Sequence, residues 1–297
     1  MRRRDFIKGI AGSATAWPLM ARPQQPAMPV VGFLGPNSPE SDAYRVTAFK
    51  QGLKEAGVVD GQNVVIEYRW AQSHYEQLRK LAAELVQARV AVIATSGTPA
   101  ALAAKASTTY SDCLRNGRGL VASLSRPGGN VTGITRTSEE STPKRLELLH
   151  ELLPAARIMT LLVNPTAPIL AEPQARQVRS AAETLGLELH VLNASTESEL
   201  EAAFAKVVEL RASGLVIGGD AFFTSHSKQL AALAARYRVP AVYQWREFAA
   251  AGGLMSYGSN VTETHRLIGL YAGRILKSDK PADLRCSKQL ILSCTLT

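Results

Sequence analysis

The residues best suited by type and spacing to hold a ligand are Ser96, Gly97 and Thr98, in the run AVIATSGTPAALAAK. The apolar stretch 91–95 predicts a short buried strand, and the alanine-rich stretch from Pro99 predicts a helix. Thr98 suits the N-cap and Pro99 the first helical position, where a missing N–H leaves nothing unpaired. A helix opening this way turns free backbone N–H groups and the positive end of its dipole toward the space beyond the strand. With the Ser96 and Thr98 hydroxyls, those groups would hold a carboxylate or another small anion. The same run also fits an ordinary strand-to-helix connection, so the rest of the chain has to weigh between the two.

No catalytic constellation accompanies it. The sequence has no H-E-x-x-H, no C-x-x-C, no G-x-x-x-x-G-K-[ST] and no G-x-S-x-G. His74, His150, His190, His226 and His265 are scattered without ligand spacing, so neither a metal nor a cofactor is expected. The Gly-Gly pairs at 128–129, 218–219 and 252–253 read as turns. An enzyme is therefore not expected. The net charge of +9 does not signal nucleic acid: Arg2, Arg3, Arg4, Lys8 and Arg22 against Asp5 place +4 in the first 22 residues. What remains is spread thinly, with no basic helix and no cationic run interleaved with aromatics.

Residues 1–27, MRRRDFIKGIAGSATAWPLMARPQQPA, predict an export signal. A basic start precedes a mildly apolar stretch too short and weak to span a bilayer. Arg3-Arg4-Asp5-Phe6-Ile7-Lys8 has the twin-arginine pattern, the alternative being ordinary secretion with a basic start. Cleavage is expected near residues 21–24, and the mature protein is expected in a bacterial periplasm.

The positioning elements alternate. Strands are predicted at 28–34, 64–69 and 91–95, with helices at 44–56, 75–87 and from Thr98. A second series has strands at 157–163, 188–192, 215–217 and 241–243, with helices at 142–153, 175–185, 197–208 and 225–237. Short strand-like links at 131–135 and 253–257 join the series, and a helix at 261–276 follows. Alternation of this kind predicts an α/β protein of two doubly wound, Rossmann-like lobes around a ligand cleft at the carboxyl ends of parallel strands.

The chain resembles the bacterial ABC-transporter substrate-binding protein family of type I periplasmic-binding fold, which includes tryptophan- and tyrosine-binding members. The resemblance lies in VGFLGPNSPE, FKQGLKEAGVVDGQNVVIEYRWA, VIATSGTPAALAAK, SLSRPGGNVTGIT, PKRLELLHELLPAARIMTLLVNPT, VIGGDAFF and REFAAAGGLMSYGSNVTETHRLIGLYAGRILK, spanning most of 28–284. It implies lobes of 28–130 with 258–284 and of 131–257. It implies that Ser96, Gly97 and Thr98 hold an amino-acid-like carboxylate and that Asn37 lines the same lobe. From the second lobe it implies Asn164, Asp220 as acceptor for an ammonium group, Phe222 as a stacking partner, and Tyr257 at the crossover. Taken singly, Asn164-Pro165 also reads as a turn, Asp220 as a helix cap, and Phe222 and Tyr257 as core.

Two segments depart from the family pattern. Residues 110–119, YSDCLRNGRG, stand where a buried strand is expected, and the tail 285–297, RCSKQLILSCTLT, replaces an expected strand and final helix. Cys113, Cys286 and Cys294 all lie in these segments, which is consistent with a reading-frame slip rather than a disulfide framework. The function expected is that of a periplasmic solute-binding protein. It would be a monomer that closes on an amino acid or similar carboxylate and delivers it to an ABC permease in the inner membrane. The alternatives are a ligand-sensing module of the same fold and a family member that has lost function.

Overall fold

The computed structural model describes residues 28–108, 120, 123, 125–136, 138–289 and 292–296. The expected export signal and the segment 110–119 lie outside the described residues.

The first unit is built on β1 (Val30–Gly35), flanked by β2 (Val65–Trp70) and β3 (Val92–Thr95) in a parallel sheet of order β2-β1-β3. All of β1 after Val30 is buried, as a central parallel strand covered on both faces must be. Helices α1 (Ala43–Glu55), α2 (Leu78–Gln87) and α3 (Thr98–Ser107) follow the strands in turn. Phe33 packs between Phe49 and Trp70, with ring centroids 5.2 and 5.3 Å away, which ties β1 to α1 and β2.

The second unit holds a six-stranded sheet of order β11-β9-β8-β7-β5-β6. Its strands are β5 (Ile158–Val163), β6 (Glu188–Asn193), β7 (Gly214–Ile217), β8 (Ala241–Tyr243), β9 (Met255–Ser259) and β11 (Leu292–Leu296). The first five are parallel, and β11 runs antiparallel beside β9. The covering helices are α4 (Ser138–Leu152), α5 (Pro168–Leu185), α6 (Glu197–Glu209), α7 (Ala221–Ser225), α8 (Ser227–Tyr237) and α9 (Arg246–Ala250). Thr196 and Glu199 start α6 with a reciprocal capping box. Then α10 (Val261–Leu276), capped by Asn260, returns the chain to pack on α1 of the first unit. The two helices cross closely because Gly52 and Gly269 face the contact: a Cβ on Gly52 would fall on the Arg266 carbonyl oxygen, and one on Gly269 on that of Phe49.

Several expectations change. The 253–257 stretch is not a link: β9 lies inside the six-stranded sheet, because its small and apolar residues can be buried there. The tail is not without structure either. β10 (Ser287–Gln289) pairs in parallel with β4 (Ile134–Arg136), and β11 closes the sheet edge beside β9. Backbone pairing needs extended chain and not the family's side chains, so a sequence that has lost its pattern can still supply an edge strand. No final helix follows β11 among the described residues. Helix α5 begins seven residues ahead of the expected 175, since Pro168 occupies the first turn and Pro173 is accommodated inside. Likewise α4 includes Pro143. No described helix is long and apolar enough to cross a membrane.

Candidate functional site

The carboxyl ends of strands from both sheets meet at one cavity of about 130 Å³. Pro36 and Asn37 follow β1, Ser96 to Pro99 follow β3, Gly219 and Asp220 follow β7, and Gln244 and Trp245 follow β8. Helix α5 adds Ile169, Leu170, Pro173 and Gln174, and Thr142 enters from α4. Ligands of doubly wound sheets sit at such strand ends.

Helix α3 begins differently from the sequence expectation. Gly97, at φ +85°, is the N-cap, Thr98 is already helical, and no side chain caps the first turn. Gly97 takes this position because its positive φ is strained for any residue with a Cβ. The positive end of α3 therefore opens on the cavity without an internal partner. Ser96 is committed elsewhere. Its Oγ lies 3.0 Å from His265 Nε2, while His265 Nδ1 meets the Val261 carbonyl at 2.8 Å. A carbonyl only accepts, so Nδ1 carries a proton; in the neutral ring Nε2 then accepts the Ser96 proton, and the serine oxygen offers lone pairs to the cavity.

Asp220 is the negative centre. Oδ1 accepts from Asn164 Nδ2 at 2.9 Å and from the Phe222 N–H at 2.8 Å, which caps α7. Oδ2 accepts from the Tyr75 hydroxyl at 2.7 Å, and the Ala221 N–H donates to the Tyr75 oxygen at 3.0 Å. Burial pushes the Asp220 carboxyl above the usual carboxylate range, and the hydrogen bonds from Asn164 and Tyr75 oppose part of that shift. Tyr75 is raised well above an ordinary phenol, first by burial and then by the Asp220 charge. Since Tyr75 precedes α2 of the first unit and Asp220 follows β7 of the second, this bond spans the cleft. Two more contacts do the same. Ser41 and Ser225 hydroxyls lie 3.4 Å apart, and the Arg45 guanidinium lies 6.0 Å from the Trp245 ring centroid.

Asn37 and Arg45 converge on Asp42, with Asn37 Nδ2 at 2.5 Å and Arg45 Nη1 at 2.8 Å from Asp42 Oδ1. Arg45 Nε donates to the Tyr44 hydroxyl at 2.9 Å. Asn37 Oδ1 is buried with no partner, so an acceptor is left over in a residue of the lining.

Of the residues named from sequence, Asn37, Ser96, Gly97, Thr98 and Asp220 line the cavity, whereas Asn164, Phe222 and Tyr257 do not. Asn164 stands behind Asp220 and orients it. Phe222 is 7% exposed and packs with Phe223 in the core between β7 and α8, because capping by Asp220 turns its side chain inward. Tyr257 sits half-buried in the middle of β9, opposite Cys294, just ahead of the chain's return to the first unit at α10. Sequence reasoning missed Tyr75, Arg45, Gln174 and Gln244. None of them carried a local signal, since Tyr75 and Arg45 act across the cleft and Gln174 lies just ahead of the expected start of its helix at 175. No cluster of three metal-ligating side chains occurs among the described residues.

A cleft lined from both sheets at the carboxyl ends of their parallel strands is a geometry suited to enclosing a small ligand. Residues 36–295 match the family described as "ABC transporter substrate binding protein". The chain belongs to that family. Its members bind substrates rather than transform them. A curated relative, the "Tyrosine-binding protein" of Clostridioides difficile (strain R20291), is 26% identical over 80% of this chain and 69% of its own length. Among solved structures, a conserved domain protein of Vibrio cholerae superimposes with TM-score 0.79 at 19% identity, covering 91% of this chain and 92% of its own. The ABC domain in complex with L-Trp from Streptococcus pneumonia gives TM-score 0.74 at 20% identity, covering 90% and 91%. At such identities these structures establish the fold, which is that of type I periplasmic-binding proteins.

Proposed function

We propose that this member captures an amino acid or similar small carboxylate by closing two lobes, 28–130 with 258–284 and 131–257 joined by β11. It then delivers the solute, as a periplasmic monomer, to an ABC permease in the inner membrane. The observation that carries this reading is the placement, in one cavity, of the buried Asp220 carboxylate from the second unit and the uncapped start of α3 from the first. A solute with an ammonium and a carboxylate group would meet the first with its positive end and the second with its negative end. A tyrosine-binding relative and a neighbour bound to L-Trp support an amino acid over other carboxylates. Export follows the reading of residues 1–27 as a signal, and a permease follows from the family.

Thermal unfolding of the chain with a panel of L-amino acids and small carboxylates tests this. A solute at one hundred times its Kd stabilises by about 2.7 kcal/mol, roughly 5–10 °C for a protein of this size. A shift with one or a few amino acids is expected. A cooperative transition indifferent to the whole panel would remove the solute class.

A further inference from the structure

Arg145, on the second turn of α4, is fully buried. Its Nη2 donates to Thr142 Oγ1 at 2.7 Å, while Nε and Nη1 are buried with no acceptor. No carboxylate among the described residues pairs with it, unlike Arg45, which Asp42 neutralises at 2.8 Å. Burial lowers the Arg145 guanidinium to about 9, so it stays charged at neutral pH. An unmatched buried cation with two idle donors is a costly arrangement, and native interiors supply such groups with an anion. Long helical side chains lean toward the amino end of their helix, which carries this guanidinium back to Thr142, three residues earlier on α4. Its one acceptor, Thr142, lines the cavity, and Arg145, with no exposed surface of its own, lies directly behind it. The lining also holds the uncapped start of α3 and, on the negative side, Asp220 and the idle Asn37 Oδ1.

We propose that Arg145, together with Thr142 and the start of α3, forms the carboxylate-binding end of the solute site, and that Asp220 and Asn37 Oδ1 take the ammonium end. Arg145 behind the lining and Asp220 within it are then one cation and one anion, complementary to a zwitterionic α-amino acid. Neither an amine nor an inorganic anion would satisfy both. This rests on the solute-binding reading above and names the residue that would set its specificity.

The test compares the wild type with Arg145→Met and Arg145→Lys by ligand-free melting and by calorimetric titration. The probes are L-tyrosine, tyramine (which lacks the carboxylate), 3-(4-hydroxyphenyl)propionate (which lacks the ammonium) and inorganic phosphate. The expected result is that Arg145→Met melts at or above the wild-type temperature without ligand. It should lose on the order of 100-fold in affinity for L-tyrosine and for the propionate, and less than about threefold for tyramine. Arg145→Lys should recover part of the loss, because it keeps the charge without the planar fork. If the wild type ignores every amino acid yet phosphate raises its melting temperature and not that of Arg145→Met, the anion site stands and the amino-acid solute falls. If Arg145→Met melts lower and binds L-tyrosine and tyramine in the wild-type ratio, Arg145 is structural and the proposal is overturned. The proposal also falls if no anion protects the wild type more than the variant.

Discussion

At the scale of single residues, Asp220 has three jobs: it caps α7, accepts from Asn164, and receives the Tyr75 hydroxyl across the cleft. Its raised carboxyl gives a pH signature whose sign follows from competition. A proton on Asp220 has to leave before an ammonium group can take its place, so the affinity for an amino acid should fall as pH drops through that raised range. The fall should approach about tenfold per pH unit below it. Asp220→Asn should bind on the order of 100-fold more weakly at neutral pH and show no such fall. Calorimetric titration at a series of pH values reads both. Ser96, Gly97 and Thr98 were legible in sequence because strand, turn and helix are local and Gly97 marks the turn. Tyr75 and Arg145 were not. Tyr75 acts on a residue 145 positions away, and a buried guanidinium without a carboxylate partner looks, in sequence, like any exposed helical arginine.

At the scale of elements, alternation of buried strands with amphipathic helices was enough to identify both sheets, since period and capping are local properties. Three things escaped it. The apolar period is read only from 175, yet α5 runs from Pro168 through Pro173, and this hid the cavity-lining turn at Ile169 and Leu170. The strands β10 and β11 escaped because a sequence without its family's pattern still has a backbone to pair. The α1–α10 crossing has no sequence period of its own; it depends on Gly52 and Gly269 letting two helices approach to backbone contact. Gly269→Ala should force those helices apart against Phe49 and lower stability by about 1–3 kcal/mol, read as a drop of roughly 2–10 °C in melting temperature. An unchanged melting temperature would mean that α10 is not held against α1 in this way.

At the scale of the whole molecule, the chain crosses between its two units at β4, at the start of α10 and again at the β10–β11 tail. Thr132 Oγ1 donates to the Leu284 carbonyl at 2.6 Å and fastens two of these crossings together. On the proposed capture by closure, motion about these links would be a hinge, and the contacts spanning the cleft would hold it shut: Tyr75 to Asp220, Ser41 to Ser225, and Arg45 over Trp245. A solute that binds both units adds to that set and shifts the population toward closure. Small-angle scattering of the wild type and of Tyr75→Phe, each with and without the amino acid that gives the largest melting shift, tests this most directly. Without ligand, Tyr75→Phe should have the larger radius of gyration, and saturating ligand should bring both proteins to one smaller value. Identical radii for the two proteins, unchanged by ligand, would contradict capture by closure.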